Sequence, residues 1–155
     1  MTGADSEDST PASALHAGAP AGSANPPYRH VLIVEDEAAL RHIIARNLVH
    51  RGLVVREADS AEAAVSAIAA EQPDLMLLDI NLPDRTGWEV LRELGRRKCE
   101  VPTIVMSAVQ ARPARIAEFH PVAYLPKPFP LESLLRLVCE TAPAQLVDET
   151  QMEPV

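Results

Sequence analysis

Aromatic side chains are scarce: the chain of 155 residues has one Trp, two Tyr and two Phe, 3% in all. Large aromatic docking surfaces are therefore not expected, and the core has to be filled by Ala, Val, Leu and Ile, which the 47% hydrophobic content supplies. Basic residues are outnumbered 14 to 22, and a net charge of -8 has the wrong sign for general attraction to nucleic acid phosphates, so no nucleic acid partner is expected. Cysteine is almost absent. Cys99 and Cys139 stand alone without metal-type spacing, and a chain of this length needs no disulfide to fold, which suits a reducing cytoplasm. No stretch approaches the roughly 20 apolar residues of a membrane span, and no basic region followed by an apolar run opens the chain, so neither a membrane partner nor export is expected.

What is present is a repeating alternation of short apolar runs and helical patterns. Residues 1–27 are dominated by Ala, Ser, Gly and Pro and read as a disordered tail. Order is expected from His30, where Val31-Leu32-Ile33-Val34 has the continuous apolar character of a strand covered on both faces. Leu40, Ile43, Ile44 and Leu48 then share one helical face, with Gly52 placed to end the helix. Leu53 to Val55 forms the next strand, followed by an Ala-rich helix from Asp59 to Ala70 with Asp59 and Glu62 in capping-box spacing.

Asp74 to Asp79 is the third strand. Thr86 and Glu89, again three apart, open a helix with Val90, Leu91 and Leu94 inside. Val101 to Met106 and Val122 to Leu125 are the fourth and fifth strands, and Pro130 suits the first turn of a last helix carrying Leu131, Leu134, Leu135 and Val138. Strands alternating with helices predict an α/β fold, a doubly wound parallel sheet with helices on both faces. The expected organisation is a tail at 1–27, one domain at 28–142 and a second tail at 143–155.

In such sheets ligands gather at the C-terminal ends of the strands. The first run ends in Glu35-Asp36-Glu37, the third in Asp79 and the fourth in Ser107, while the fifth is followed at once by Lys127. Three of these groups, Glu35, Asp36 and Asp79, are carboxylates whose mutual repulsion calls for a cation. A hard, oxygen-liganded ion that keeps waters for a phosphate to replace describes Mg²⁺ better than zinc. Ser107 and Lys127 add a hydroxyl and an ammonium suited to phosphate oxygens. A carboxylate so placed is already ionised and can serve as nucleophile in phosphoryl transfer without a general base.

Each residue also has a plainer reading. Glu35 and Asp36 suit a helix N-terminus, Lys127 suits a surface, Ser107 a loop and Tyr124 a core. Their joint placement at strand ends is what favours the site. His16, His30, His42, His50 and His120 share no motif and read as surface or packing residues, and Trp88 reads as a helix residue packed near the loop after Asp79.

With these motifs in hand, residues 29 to 142 resemble the receiver family of two-component response regulators. The resemblance rests on VLIVEDE at 31 to 37, DLMLLDINLPDRTGWEVL at 74 to 91, PTIVMSA at 102 to 108 and AYLPKPF at 123 to 129. It implies the flavodoxin-like (βα)5 fold with strand order 2-1-3-4-5. By position it implies Asp79 as phosphoacceptor, Glu35 and Asp36 as the acidic pair that holds Mg²⁺, and Asn81 as the donor of a backbone carbonyl to the metal. It further implies Ser107 and Tyr124 as the switch pair, Lys127 as the partner of the phosphoryl group, and a cis peptide between Lys127 and Pro128.

The implied function is a single-domain response regulator that takes its phosphoryl group from a histidine kinase or histidine phosphotransfer protein and signals by contact with a downstream protein. It is not expected to be an enzyme beyond assisting its own phosphorylation and dephosphorylation, and a homodimer is compatible with it. The alternatives are a pseudo-receiver scaffold that signals without phosphate, and a flavodoxin-like enzyme or nucleotide binder; no glycine-rich phosphate loop follows the first strand to support the latter.

Three departures stand out. Lys127 follows Ser107 by 20 positions, shorter than the family's usual spacing, and Pro113 confines the fourth helix to about 113–119. His120-Pro121 replaces a Gly-Ala type turn, so the face made by the fourth helix, fifth strand and fifth helix is expected to have an altered shape. Glu35 stands where Asp is more common. Val109 and Asn81 resemble the positions that tune water access to the acyl phosphate, and the apolar Val109 predicts a phosphorylated state that is not exceptionally short-lived.

Overall fold

The computed structural model describes residues 27–140. The two expected tails fall almost entirely outside these residues, as do the last two positions of the expected domain. Five strands, β1 His30–Val34, β2 Val54–Ala58, β3 Leu75–Asp79, β4 Thr103–Ser107 and β5 Ala123–Pro126, form one parallel sheet in the order β2-β1-β3-β4-β5. Between and after them run α1 Ala38–His50, α2 Ala61–Ala70, α3 Gly87–Arg96, α4 Pro113–Phe119 and α5 Leu131–Cys139. This is the expected doubly wound fold.

Period-two alternation along the strands divides the core in two. Val31, Ile33, Leu75, Leu77, Ile104 and Met106 pack with Ile44 and Leu48 of α1 and with Leu134, Leu135 and Val138 of α5. Leu32, Val34, Met76 and Leu78 pack with Ala61, Ala64, Val65 and Ile68 of α2 and with Val90 and Leu94 of α3. Every residue of β3 is buried, so its C-terminal residue, Asp79, is held by a strand that cannot shift without disturbing both layers.

Helix ends show how local chemistry sets the loops above the sheet. Gly52, at φ 93°, ends α1 by donating its N–H to the Val49 carbonyl, while Leu53 donates to Leu48, which completes a Schellman motif. Thr86 caps α3, its hydroxyl accepting from the Glu89 N–H, as its spacing predicts.

Several expectations are corrected. α2 is capped by Ser60, not Asp59: Ser60 is extended, and its hydroxyl accepts from the Ala63 N–H. β2 starts after Leu53 and runs on to Ala58, because Leu53 is spent on closing α1. Ile43 is 46% exposed and Ala45 takes the inner position beside Ile44. Order precedes His30, since Tyr28 is 4% exposed and belongs to the core. Pro130 sits at the N-cap of α5, one position ahead of its first turn.

The short fourth helix is found as expected, with Pro113 in its first turn and the left-handed His120 ending it. No residue of α4 is buried. A helix this short is not stable alone. It is held by Phe119, which stacks on Trp88 of α3 at 5.6 Å between centroids, with the Arg92 guanidinium over the same ring and paired with Glu118 at 3.3 Å. Trp88 thus joins α3 to α4.

Candidate functional site

β1 and β3 are adjacent in the sheet, so the acidic residues that end them are brought side by side. Glu35 and Asp79 are 1% and 3% exposed, whereas Asp36 is open to solvent. One carboxylate oxygen from each of Glu35, Asp36 and Asp79 lies within 4.8 Å of the other two. Lys127, just beyond β5, reaches back over the sheet edge: its Nζ donates to Glu35 Oε1 at 2.8 Å and to Asp79 Oδ2 at 3.1 Å. The Lys127–Pro128 peptide is cis, as the resemblance implies.

The backbone completes this arrangement. Glu35 Oε2 accepts from the Glu37 N–H at 3.1 Å, and Asp79 Oδ1 accepts from the Asn81 N–H at 3.1 Å. Asn81 is fixed in turn by a bridge to Thr86, and the Gly87 N–H donates to the Ile80 carbonyl at 2.8 Å. Gly87 is required there because a Cβ would stand 2.7 Å from the Asp79 carbonyl oxygen.

Three carboxylates against one ammonium leave the pocket short of positive charge. Burial pushes the Glu35 carboxyl above the usual carboxylate range, despite its bonds to Lys127 and to the Glu37 N–H. Burial would pull the Lys127 ammonium down, but its bonds to Glu35 and Asp79 outweigh that and hold it above the ordinary lysine range. A pocket of this kind, with clustered hard oxygens and one exposed carboxylate through which water can enter, fits a divalent cation of the Mg²⁺ type. The residues present therefore suit the metal that the sequence implies. The extra methylene of Glu35 does not remove its carboxylate from the cluster.

Ser107 ends β4 one residue past Met106, the register partner of Asp79, and is 2% exposed. Its hydroxyl donates to the Val109 carbonyl at 2.9 Å and accepts from the Val109 N–H at 3.0 Å. The half-buried Tyr124 donates its phenolic O–H to the same carbonyl at 2.7 Å. The expected switch pair is thus joined through Val109, whose side chain is 63% exposed.

Two residues with a part in this geometry carry no sequence signal. Arg41 donates from Nη1 to the Glu35 carbonyl at 2.8 Å and pairs with Glu57 at 2.9 Å, tying the loop after β1 to β2. Asp84 binds the N-terminus of α2, accepting from the Ala61 and Glu62 N–H groups at 2.9 and 3.0 Å. The Arg41–Glu57 pair and the Asp84 bonds join different elements of the fold, which helical or strand periodicity does not report.

Among the described residues no helix is long and apolar enough to cross a membrane.

Comparison with known proteins bears on this site directly. The family model "Response regulator receiver domain" matches residues 31–139. The response regulator MprA of Mycolicibacterium vanbaalenii is 36% identical over 107 residues, which cover 68% of this chain and 46% of that protein. The DNA-binding transcriptional regulator NtrC of Proteus hauseri is 31% identical over 111 residues, 70% of this chain and 24% of that protein. This chain therefore spans half or less of the length of these curated relatives.

Among solved structures, a CheY-like receiver domain protein of Methanospirillum hungatei aligns with a TM-score of 0.67 at 25% identity, covering 82% of this chain and 99% of that one. The response regulator TrrA of Thermotoga maritima, solved in complex with Mg²⁺-BeF, aligns with a TM-score of 0.62 at 25% identity, covering 70% and 95%. The match runs from β1, whose end carries the acidic pair, through α5, and so takes in every residue of the pocket: the chain belongs to the response regulator receiver domain family.

Proposed function

We propose that the domain accepts a phosphoryl group on Asp79 from a phosphohistidine of a kinase or phosphotransfer protein, and that the result is read by protein contact. The observation that carries this reading is the bridging of buried Asp79 and Glu35 by Lys127, with the exposed Asp36 carboxylate completing an acidic cluster at the strand ends. An Asp79 carboxylate oxygen forms the new bond to phosphorus while the phosphorus–nitrogen bond of the donor breaks, and the electron pair leaves with the imidazole. No proton has to be removed from the nucleophile.

Glu35, Asp36, Asp79 and the Asn81 backbone would hold Mg²⁺, which when bound neutralises charge on the transferring phosphoryl oxygens. Lys127 is placed to follow the phosphoryl group by exchanging its bond to Asp79 for one to a phosphoryl oxygen. Ser107 can turn its hydroxyl away from Val109 to donate to another, and Tyr124, bonded to the same carbonyl, is positioned to respond. In this transfer the domain is the acceptor and is itself modified, rather than turning over a free substrate as an enzyme does. The net charge of -8 supports output through protein rather than nucleic acid contact.

The test is incubation with a small phosphodonor, with and without Mg²⁺, read by intact mass. A gain of one phosphoryl group that requires Mg²⁺ and vanishes in Asp79→Asn is expected. Persistence of the gain in that variant would refute the assignment, and absence of any gain in the wild type would favour a scaffold that signals without phosphate.

A further inference from the structure

The loop between β3 and α3 carries Asn81 and begins at Asp79, so its position decides where the third side of the pocket stands. Its ends are fixed by the Asn81–Thr86 bridge and by the bond from the Gly87 N–H to the Ile80 carbonyl. Its outer turn has a further anchor that lies on another element. Both carboxylate oxygens of Asp84 reach the first turn of α2, Oδ1 accepting from the Ala61 N–H at 2.9 Å and Oδ2 from the Glu62 N–H at 3.0 Å. Oδ1 also accepts from the Arg85 N–H at 3.0 Å, which folds the loop back onto the same carboxylate.

These backbone donors hold the Asp84 carboxyl below the usual carboxylate range. α2 does not depend on Asp84 alone for its start, because Ser60 already caps it at the Ala63 N–H. The neighbouring Arg85 is paired with Glu93 of α3 at 3.0 Å, so consecutive residues of one loop are tied to two different helices.

We propose that Asp84 is a positioning residue for the phosphoryl site: it pins the β3–α3 loop to the N-terminus of α2 and so holds Asn81 at the distance from Asp79 that metal binding needs. The inference rests on the reading of Glu35, Asp36, Asp79 and Asn81 as a Mg²⁺ and phosphoryl site. Asp84 touches neither, and acts through the loop. Loss of the anchor weakens the metal site while leaving the sheet intact, because the anchor joins a loop to backbone N–H groups of α2 and no strand residue contributes to it.

Ser60→Ala is the matched control. It also removes a cap from α2 but leaves the loop untouched. Mg²⁺ affinity of the full chain is measured by calorimetric titration in the wild type, Asp84→Ala, Asp84→Asn and Ser60→Ala, alongside the rate of phosphorylation by a small phosphodonor. Asp84→Ala is expected to weaken Mg²⁺ binding about tenfold, as loss of a residue that supports a metal ligand commonly does. Asp84→Asn, which keeps one acceptor oxygen, falls between it and the wild type, and Ser60→Ala binds Mg²⁺ as the wild type does.

Equal affinity in Asp84→Ala and Ser60→Ala would overturn the proposal even with phosphorylation intact. A wild type that neither binds Mg²⁺ nor gains phosphate would instead overturn the proposed function on which it stands. Should Asp84→Ala not fold, the comparison of Asp84→Asn with Ser60→Ala decides in the same way.

Discussion

Ser107 and Tyr124 share one acceptor, the carbonyl oxygen of Val109, at 2.9 and 2.7 Å. The two side chains come from neighbouring strands, β4 and β5, and meet at that one oxygen. Tyr124→Phe removes one neutral hydrogen bond and is expected to cost about 1 kcal/mol of stability by urea unfolding. Ser107→Ala is expected to uncouple the pair: hydrogen exchange over residues 107–111 should respond to a Mg²⁺-dependent phosphoryl mimic in the wild type and not in the variant. An equal response in both would show that Tyr124 reads the site by another route.

Gly87 lies where backbone meets backbone: a Cβ on it would stand 2.7 Å from the Asp79 carbonyl oxygen and 3.0 Å from the Ile80 Cα. Gly87→Ala is expected to destabilise the domain by about 1–3 kcal/mol and to lower phosphorylation by displacing Asp79. Unfolding midpoint and intact mass after treatment with phosphodonor measure the two effects separately.

The halves of the core differ in what fills them. α5 presents Leu134, fully buried, against the same sheet face as α1, and Leu134→Ala is expected to cost about 2–5 kcal/mol through lost contacts and a cavity. Loss at Ile43, which is 46% exposed on α1, is expected to be small. Urea midpoints of the two alanine variants provide the comparison, and a reversal of their order would contradict the packing described.

Asp74 joins the start of β3 to β1, its Oδ2 accepting from the His30 and Arg29 N–H groups at 2.8 and 3.0 Å. The His30 bond is the main reason its carboxyl lies below the usual carboxylate range. A pKa lowered on folding adds stability that is complete above the unfolded value, about 3.9, and is lost as pH falls through the folded one. Asp74→Asn is therefore expected to be less stable than the wild type at neutral pH, with the difference shrinking below about pH 4. Thermal melts across that range measure it; a gap that widens in acid would contradict the sign.

Much of this was legible in the sequence, and the limits have physical causes. The apolar runs mark β1, β3 and β4 most clearly because a parallel strand buried on both faces must be largely apolar, and a polar residue at its end then stands out, as Asp79 and Ser107 do, whereas the edge strand β2 carries Arg56 and Glu57 and its end was not legible. Caps were harder to place. Asp59 and Ser60 are both good N-caps, and the choice falls to Ser60 because α2 begins at the fully buried Ala61. Ile43 and Ala45 lie on opposite edges of the apolar stripe of α1, which is centred near Ile44 and Leu48, so hydrophobicity alone does not say which edge is covered. Arg41, Asp84 and the Trp88–Phe119 stack were not legible at all, since each joins elements that only the fold brings together.

Clustered carboxylates repel, so Mg²⁺ is expected to raise the melting temperature, and the rise grows with the logarithm of its concentration once that exceeds the dissociation constant. Asp36→Asn, which removes the exposed member of the cluster, is expected to abolish most of that rise without unfolding the domain. An undiminished rise in the variant would place the cation elsewhere.

The most direct measurement is the site of phosphorylation itself. After reaction with a small phosphodonor and Mg²⁺, borohydride reduction converts an aspartyl phosphate to homoserine, and peptide mass spectrometry then locates it. Homoserine at position 79 and at no other acidic residue is the predicted result. Modification at Asp36 or Asp84, or none at all under conditions where Mg²⁺ binds, would contradict the assignment of Asp79 as the phosphoacceptor.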